Sequence, residues 1–215
     1  MRTYILEYLR FEGYPTQAIS GFKESNVNDL VLYTMGPVGE GILTTSHDAK
    51  PQQTSVAKLG SSIVERGRDI VLKREKEIIA VDGETGGYQE FVVMDIIGIK
   101  EEKFVIVVEA KASCIGLALK QCLLALKDML VNNGGGLVYG FVTTGEFWRM
   151  VRYDGTSFTL TNVFMVLFNT MRDEKDRWMS ECSVLVDCLN VALNVGGIVE
   201  DVVVGASSGG GAKPH

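Results

Sequence analysis

Apolar residues recur along this chain with two periods, and the period assigns each stretch an element. Tyr4, Ile5, Tyr8, Leu9 and Phe11 are spaced for a short amphipathic helix that stops at Gly13. Residues 22–53 read as irregular, with one strand at Leu30 to Thr34 and turn punctuation at Gly36-Pro37, Gly39 and Pro51. Val56, Leu59, Ile63, Val64, Ile70, Val71 and Leu72 come close to a helical repeat, so 54–80 is expected to be helical, with Ser62 and Glu65 as a capping box. A turn follows at Asp82 to Gly87, its acids solvated.

Phe91 to Ile97 and Phe104 to Val108 are apolar runs rich in β-branched residues, separated by Gly98 to Lys103. They predict a β-hairpin buried on both faces. Ile115 to Val131 is the clearest helix, with Leu119, Leu123, Leu126 and Leu130 on one stripe and a stop at Asn132-Asn133-Gly134-Gly135-Gly136. Leu137 to Thr143 and Phe147 to Tyr153 are two more strands joined by Thr144-Gly145-Glu146. The first suits a parallel partner of the hairpin, reached by the helical crossover. The second alternates, Trp148, Met150 and Arg152 pointing one way and Arg149 and Val151 the other, as an edge strand does. Asp173 to Leu193 is a second strong helix with Asp173 as its N-cap, 196–205 adds a short strand, and 206–215 is a low-complexity tail. This order predicts an α/β protein with a mixed central β-sheet flanked by helices. Residues 1–53 read as an extension or insertion on a domain spanning 54–205.

The chain has 215 residues, 46% of them hydrophobic, enough for a full core. No apolar run is long enough to span a bilayer, and the amino terminus is interrupted by charges too often for a signal sequence, so an intracellular protein without membrane contact is expected. Cys114, Cys122, Cys182 and Cys188 form no CxxC pair, and the histidines are His47 and His215 alone, which argues against zinc and against histidine-dependent nucleophiles. The net charge of −6 is unfavourable for a polyanionic partner, so any such contact must be local. Arg66, Arg68, Lys73, Arg74 and Lys76 crowd one segment, and Arg149 and Arg152 another.

Into the apolar hairpin the sequence places three charged side chains, Asp95, Glu109 and Lys111. Burying a carboxylate costs several kcal/mol unless a cation or donors compensate it, and a divalent metal would do so. The plainer alternative is a buried ion pair of Lys111 with one acid. The tripeptide Glu109-Ala110-Lys111 has counterparts at Asp48-Ala49-Lys50, Glu101-Glu102-Lys103 and Asp173-Glu174-Lys175, but these lie in polar surroundings. Only the one at Glu109 ends an unbroken apolar strand.

The spacing of Asp95 to Glu109-Ala110-Lys111 resembles the signature of the PD-(D/E)XK nuclease superfamily, with Met94 where the nominal proline would stand. The resemblance spans roughly Ser61 to Gly155, and GFVTTGEFWRMVRYDG is similar to the strand-turn-strand of restriction-subunit-like domains and of Crinkler-type effector domains. It implies a restriction-endonuclease-like core in which Asp95, Glu109 and the Ala110 carbonyl hold Mg²⁺ or Mn²⁺ while Lys111 positions water. It further implies an accessory acid at Glu65 and a helical glutamine, Gln121, reaching back to the site. The activity implied is hydrolysis of nucleic-acid phosphodiesters, DNA ahead of RNA. A catalytically inactive module of the same fold, binding nucleic acid or a protein, is the alternative. A homodimer or a protein partner through residues 1–53 stays open.

Overall fold

The computed structural model describes residues 1–14, 22–39, 57–58, 68–79, 81, 86–98 and 101–199. Its elements are α1 (Arg2–Glu12), α2 (Glu24–Gly39), β1 (Ala57–Lys58), β2 (Ile70–Ile79), β3 (Gly86–Ile96), β4 (Glu102–Ala110) and α3 (Ile115–Asn133), then β5 (Val138–Thr143), β6 (Phe147–Tyr153), β7 (Phe158–Leu160), β8 (Phe164–Met165) and α4 (Lys175–Val195). The strands form one sheet in the order β1-β2-β3-β4-β5-β6-β7, with β8 also on β6. β2, β3 and β4 are an antiparallel meander; α3 then carries the chain back so that β5 runs parallel to β4, and β6 returns antiparallel. The protein is thus α/β with a mixed central sheet flanked by helices. No helix among the described residues is long and apolar enough to cross a membrane.

Strand alternation sorts the core into two layers. Phe91, Val93, Val108, Ala110, Phe141 and Trp148 pack with α1, α2 and α4, whereas Val92, Met94, Val107, Val142 and Val151 pack under α3. The described part of the amino-terminal segment is therefore built into the core, through Ile5 and Leu9 of α1 and Val27, Leu30, Val31 and Met35 of α2. α3 approaches the sheet closely because β5 carries Gly140, where a side chain would collide with Cys122 Sγ. It ends as its sequence foretells, on Gly134 at φ 74, whose N–H returns to the carbonyls of Leu130 and Val131.

Four expectations change. The stretch read as irregular with a strand at Leu30 to Thr34 is the helix α2. Val27, Leu30, Val31, Thr34 and Met35 are buried at helical spacing, and packing on the sheet overrides the strand preference of Val31 and Thr34. The helix expected through residue 80 is, at 70–79, the strand β2. Ile70, Val71 and Leu72 are buried in succession because both faces of the sheet are covered there, which hides the two-residue period. Glu75, at φ 49, then resets the alternation, so Lys73 and Lys76 both reach Glu102. Finally, Glu174 rather than Asp173 is the N-cap of α4, and 196–199 form no strand. Residues 59–67, with Ser62, Glu65 and Arg66, lie outside the described residues, as do His47, Lys50 and 200–215.

Candidate functional site

The hairpin forms as expected, but its register separates the two acids that the sequence pairs. Asp95 sits opposite Lys103 near the tip, while Phe91 faces Val108, so the acid of β3 nearest Glu109 along the hairpin is Glu90, whose charge acts on it. Along β4, Lys103 and Glu109 are six residues apart, roughly 20 Å at about 3.3 Å per residue. A bulge adds to the separation: Val93 faces Ile106 but Met94 faces Phe104, leaving Val105 as the extra residue. The two acids also point to opposite faces, Asp95 towards α4 and Glu109 towards α3. Asp95 therefore cannot share an ion with Glu109.

Asp95 has a complete set of partners of its own. Arg68 Nε donates to its Oδ2 at 2.6 Å, and the Asp69 N–H to its Oδ1 at 3.1 Å. The same guanidinium donates to the carbonyls of Leu193 and Gly196, both at 2.7 Å, tying the start of β2 to the last turn of α4. This buried acid is structural.

At the other end of the hairpin, where β4 and β5 terminate side by side, a polar cluster has formed. Glu109 is 2% exposed and its Oε1 is buried with no hydrogen-bond partner among the described residues. Lys111, two residues on, donates to Glu24 Oε1 of α2 at 2.7 Å and to Glu90 Oε1 of β3 at 3.3 Å. Asn28, one turn after Glu24, donates from Nδ2 to Glu90 Oε2 at 2.8 Å. The Lys111 N–H is bound to the Thr143 carbonyl, which fixes the strand end on which both charged side chains stand. Ala110 points its methyl into the layer of α1, α2 and α4 and Glu109 points towards α3, while the Lys111 ammonium, just past the end of β4, reaches Glu24 of α2.

The electrostatics follow from three carboxylates around one ammonium. Burial pushes the Glu109 carboxyl up to about 8; the Lys111 charge opposes this, and the charges of Glu90 and Glu24 reinforce it. Burial alone would press the Lys111 pKa down, but its hydrogen bonds and ion pairs with Glu24 and Glu90 hold it above the ordinary lysine value. Glu24 is drawn below the ordinary carboxylate range: its burial acts upward, and the hydrogen bonds with Lys111 and Glu90 together with the Lys111 charge outweigh it. Burial also raises the Cys122 thiol, which stays neutral beside Glu109.

Of the residues singled out in the sequence, the structure brings Glu109, Ala110 and Lys111 together and leaves Asp95 at the far end. Gln121 is exposed on α3 and lines a cavity of about 780 Å³ whose other wall, Gly86 to Gln89, leads into Glu90. Lys103 and Lys175 stand apart, the former donating to the Asn133 carbonyl. Sequence reasoning missed Glu90, Glu24 and Asn28. Glu90 had a signal: in an antiparallel hairpin the residue before the first apolar run faces the residue after the second. Glu24 and Asn28 had none, because their approach depends on how α2 docks.

All the acidic donors here are hard oxygens, suited to Mg²⁺ or Mn²⁺. Among the described residues no group of three or more His, Cys, Asp or Glu side chains is gathered closely enough to hold a metal alone. An ion would thus need water as well as carboxylates, and the unpartnered Glu109 Oε1 beside Glu90 fits that requirement. Protein-family models, curated proteins and solved structures were each compared with the chain, and none matches.

Proposed function

We propose that this chain is a metal-dependent nuclease with a restriction-endonuclease-like core, in which Glu90 takes the place that the sequence pattern assigns to Asp95. The carrying observation is the buried Glu109 carboxyl, one oxygen unsatisfied among the described residues, within reach of the charges of Glu90 and Lys111 at the end of the β4–β5 pair. Support for the fold reading comes from the antiparallel meander β2-β3-β4 followed by a helical crossover into a parallel β5. A structural ion-pair cluster accounts less well for the site, since it would carry three acids against one lysine and leave a buried acceptor empty.

Glu90 and Glu109 would hold Mg²⁺ or Mn²⁺, with Glu24 and the Ala110 carbonyl as further oxygen donors nearby. Bound there, the ion would acidify a water and offset charge developing on a phosphodiester. The residues do the rest. Lys111, held on a strand fixed by Thr143, presents an ammonium that orients the attacking water or stabilises the negative charge gathering on the phosphoryl oxygens. Glu24 and Glu90 keep that ammonium charged and aimed. Arg149 lies in the same row across the sheet, since Glu109 faces Val142 and Val142 faces Arg149, and it would take a neighbouring backbone phosphate.

The test is cleavage of plasmid, single-stranded DNA and RNA with Mg²⁺ or Mn²⁺. Wild type should cut at least one substrate, Glu109→Gln and Lys111→Ala should not, and Lys103→Ala should behave as wild type. The occupation of Lys111 by two acids favours a second reading, a non-catalytic module of this fold that binds nucleic acid or a protein. Absence of cleavage on all three substrates, with retained oligonucleotide binding, would decide for it.

A further inference from the structure

α2 delivers two polar side chains to the site from one face, Glu24 and Asn28, four residues apart. Hydrophobic docking of this helix is already supplied by Val27, Leu30, Val31 and Met35, all buried. Asn28 does something more specific. Its Nδ2 donates to Glu90 Oε2 at 2.8 Å, while Lys111 donates to Glu90 Oε1, so both oxygens of that carboxylate are aimed by donors. Among the described residues its own Oδ1 is buried with no partner, and so is Glu109 Oε1. Each of these acceptors calls for a donor or a cation, and Asn28 presents its own without adding a fourth carboxylate.

Building on the metal-site reading, we propose that Asn28 is a positioning residue: its Nδ2 aims Glu90 at the ion, and its Oδ1 accepts a hydrogen bond from a water of the ion's hydration shell. Partners of this kind fix the direction of a ligating carboxylate, and losing one typically weakens metal binding by about 10- to 100-fold. The residue would act through Glu90 and through water, without touching the ion.

Mn²⁺ titration of the full chain, followed by the electron paramagnetic resonance of the free ion, tests this directly. Asn28→Leu keeps the side-chain volume and removes both polar functions; Asn28→Ala is the second variant should the first fold poorly. Both should bind Mn²⁺ roughly 10- to 100-fold more weakly, and the enhancement of water-proton relaxation by bound Mn²⁺ should change as the held water is released. A residue that only docks α2 would move neither measurement once the protein is folded. Wild-type affinity and relaxation in both variants would overturn the role of Asn28 and leave the metal site standing. Failure of wild type to bind Mn²⁺ would overturn both.

Discussion

Glu109 holds its proton more tightly in the folded protein than in the unfolded chain, because burial raises its pKa from the ordinary 4.5 to about 8. A raised carboxyl leaves stability intact below the unfolded value and erodes it as pH climbs towards the folded one, by at most about 1.4 kcal/mol per pH unit. The urea midpoint of the metal-free protein should therefore fall between pH 5 and pH 8. Glu109→Gln should flatten that decline and be the more stable protein at pH 8. A wild-type midpoint constant across this range would show that Glu109 is ionised and compensated, contrary to its surroundings. Asp95 makes the opposite case, an acid of similar burial whose oxygens are both satisfied. Removing Arg68 would leave it uncompensated, so Arg68→Met should cost about 3 kcal/mol or more. Because the pair stands at the far end of β3, the surviving folded fraction should cleave as wild type does. Loss of the proposed activity out of proportion to unfolding in Arg68→Met would return Asp95 to the proposed site.

Among the elements, the close seat of α3 on β4 and β5 matters most to the site, since Glu109 lies beneath this helix beside Cys122. Gly140 permits that approach, its missing Cβ leaving room for the Cys122 sulfur. Gly140→Ala should destabilise by about 1–3 kcal/mol, as overpacking does. Pairing it with Cys122→Ala should recover much of the loss, a coupling between contacting residues that additive effects would not produce. Independent, additive costs in the double variant would mean that α3 shifts as a body. The hairpin is legible in the sequence down to its apolar runs, yet the register that separates Asp95 from Glu109 is not. One bulged residue, Val105, with the turn ahead of it, decides which side chains meet. β2 was read as a helix because its first three residues are buried in succession, a pattern that cannot separate a fully covered strand from a helical face.

For the whole molecule the proposed nuclease reading meets one difficulty, charge. At −6 the protein repels a polyanion on average, and Lys111 is already paired with two acids, so attraction must come from cations placed near the site. Arg149 is such a cation, on the α3 face in the row of Glu109, its Nε held by the Thr161 carbonyl at 2.8 Å. Arg152 points to the other face and leans towards Asp154. In the Glu109→Gln background, Arg149→Gln should weaken binding of a labelled single-stranded oligonucleotide and reduce the slope of log affinity against log salt by roughly 0.7. Arg152→Gln is the control and should leave the slope alone. Equal effects of the two substitutions would reduce Arg149 to a contributor of net charge.

Periodicity, chain punctuation and side-chain chemistry are local properties, and they are what the sequence by itself determined: the hairpin, the helix α3 with its glycine stop, the strands β5 and β6 with Arg149 and Arg152 on opposite faces, and the placing of Glu109 and Lys111 at the end of an apolar strand. The tertiary structure alone decided that Asp95 belongs to Arg68 and the end of α4, that Glu90 is the acid of β3 nearest Glu109, and that α2 brings Glu24 and Asn28 to the same place. These contacts join residues between 19 and 128 positions apart. No local preference encodes such distances; they are set by strand register and by the packing of helices on the sheet, where one residue of slip exchanges one face for the other.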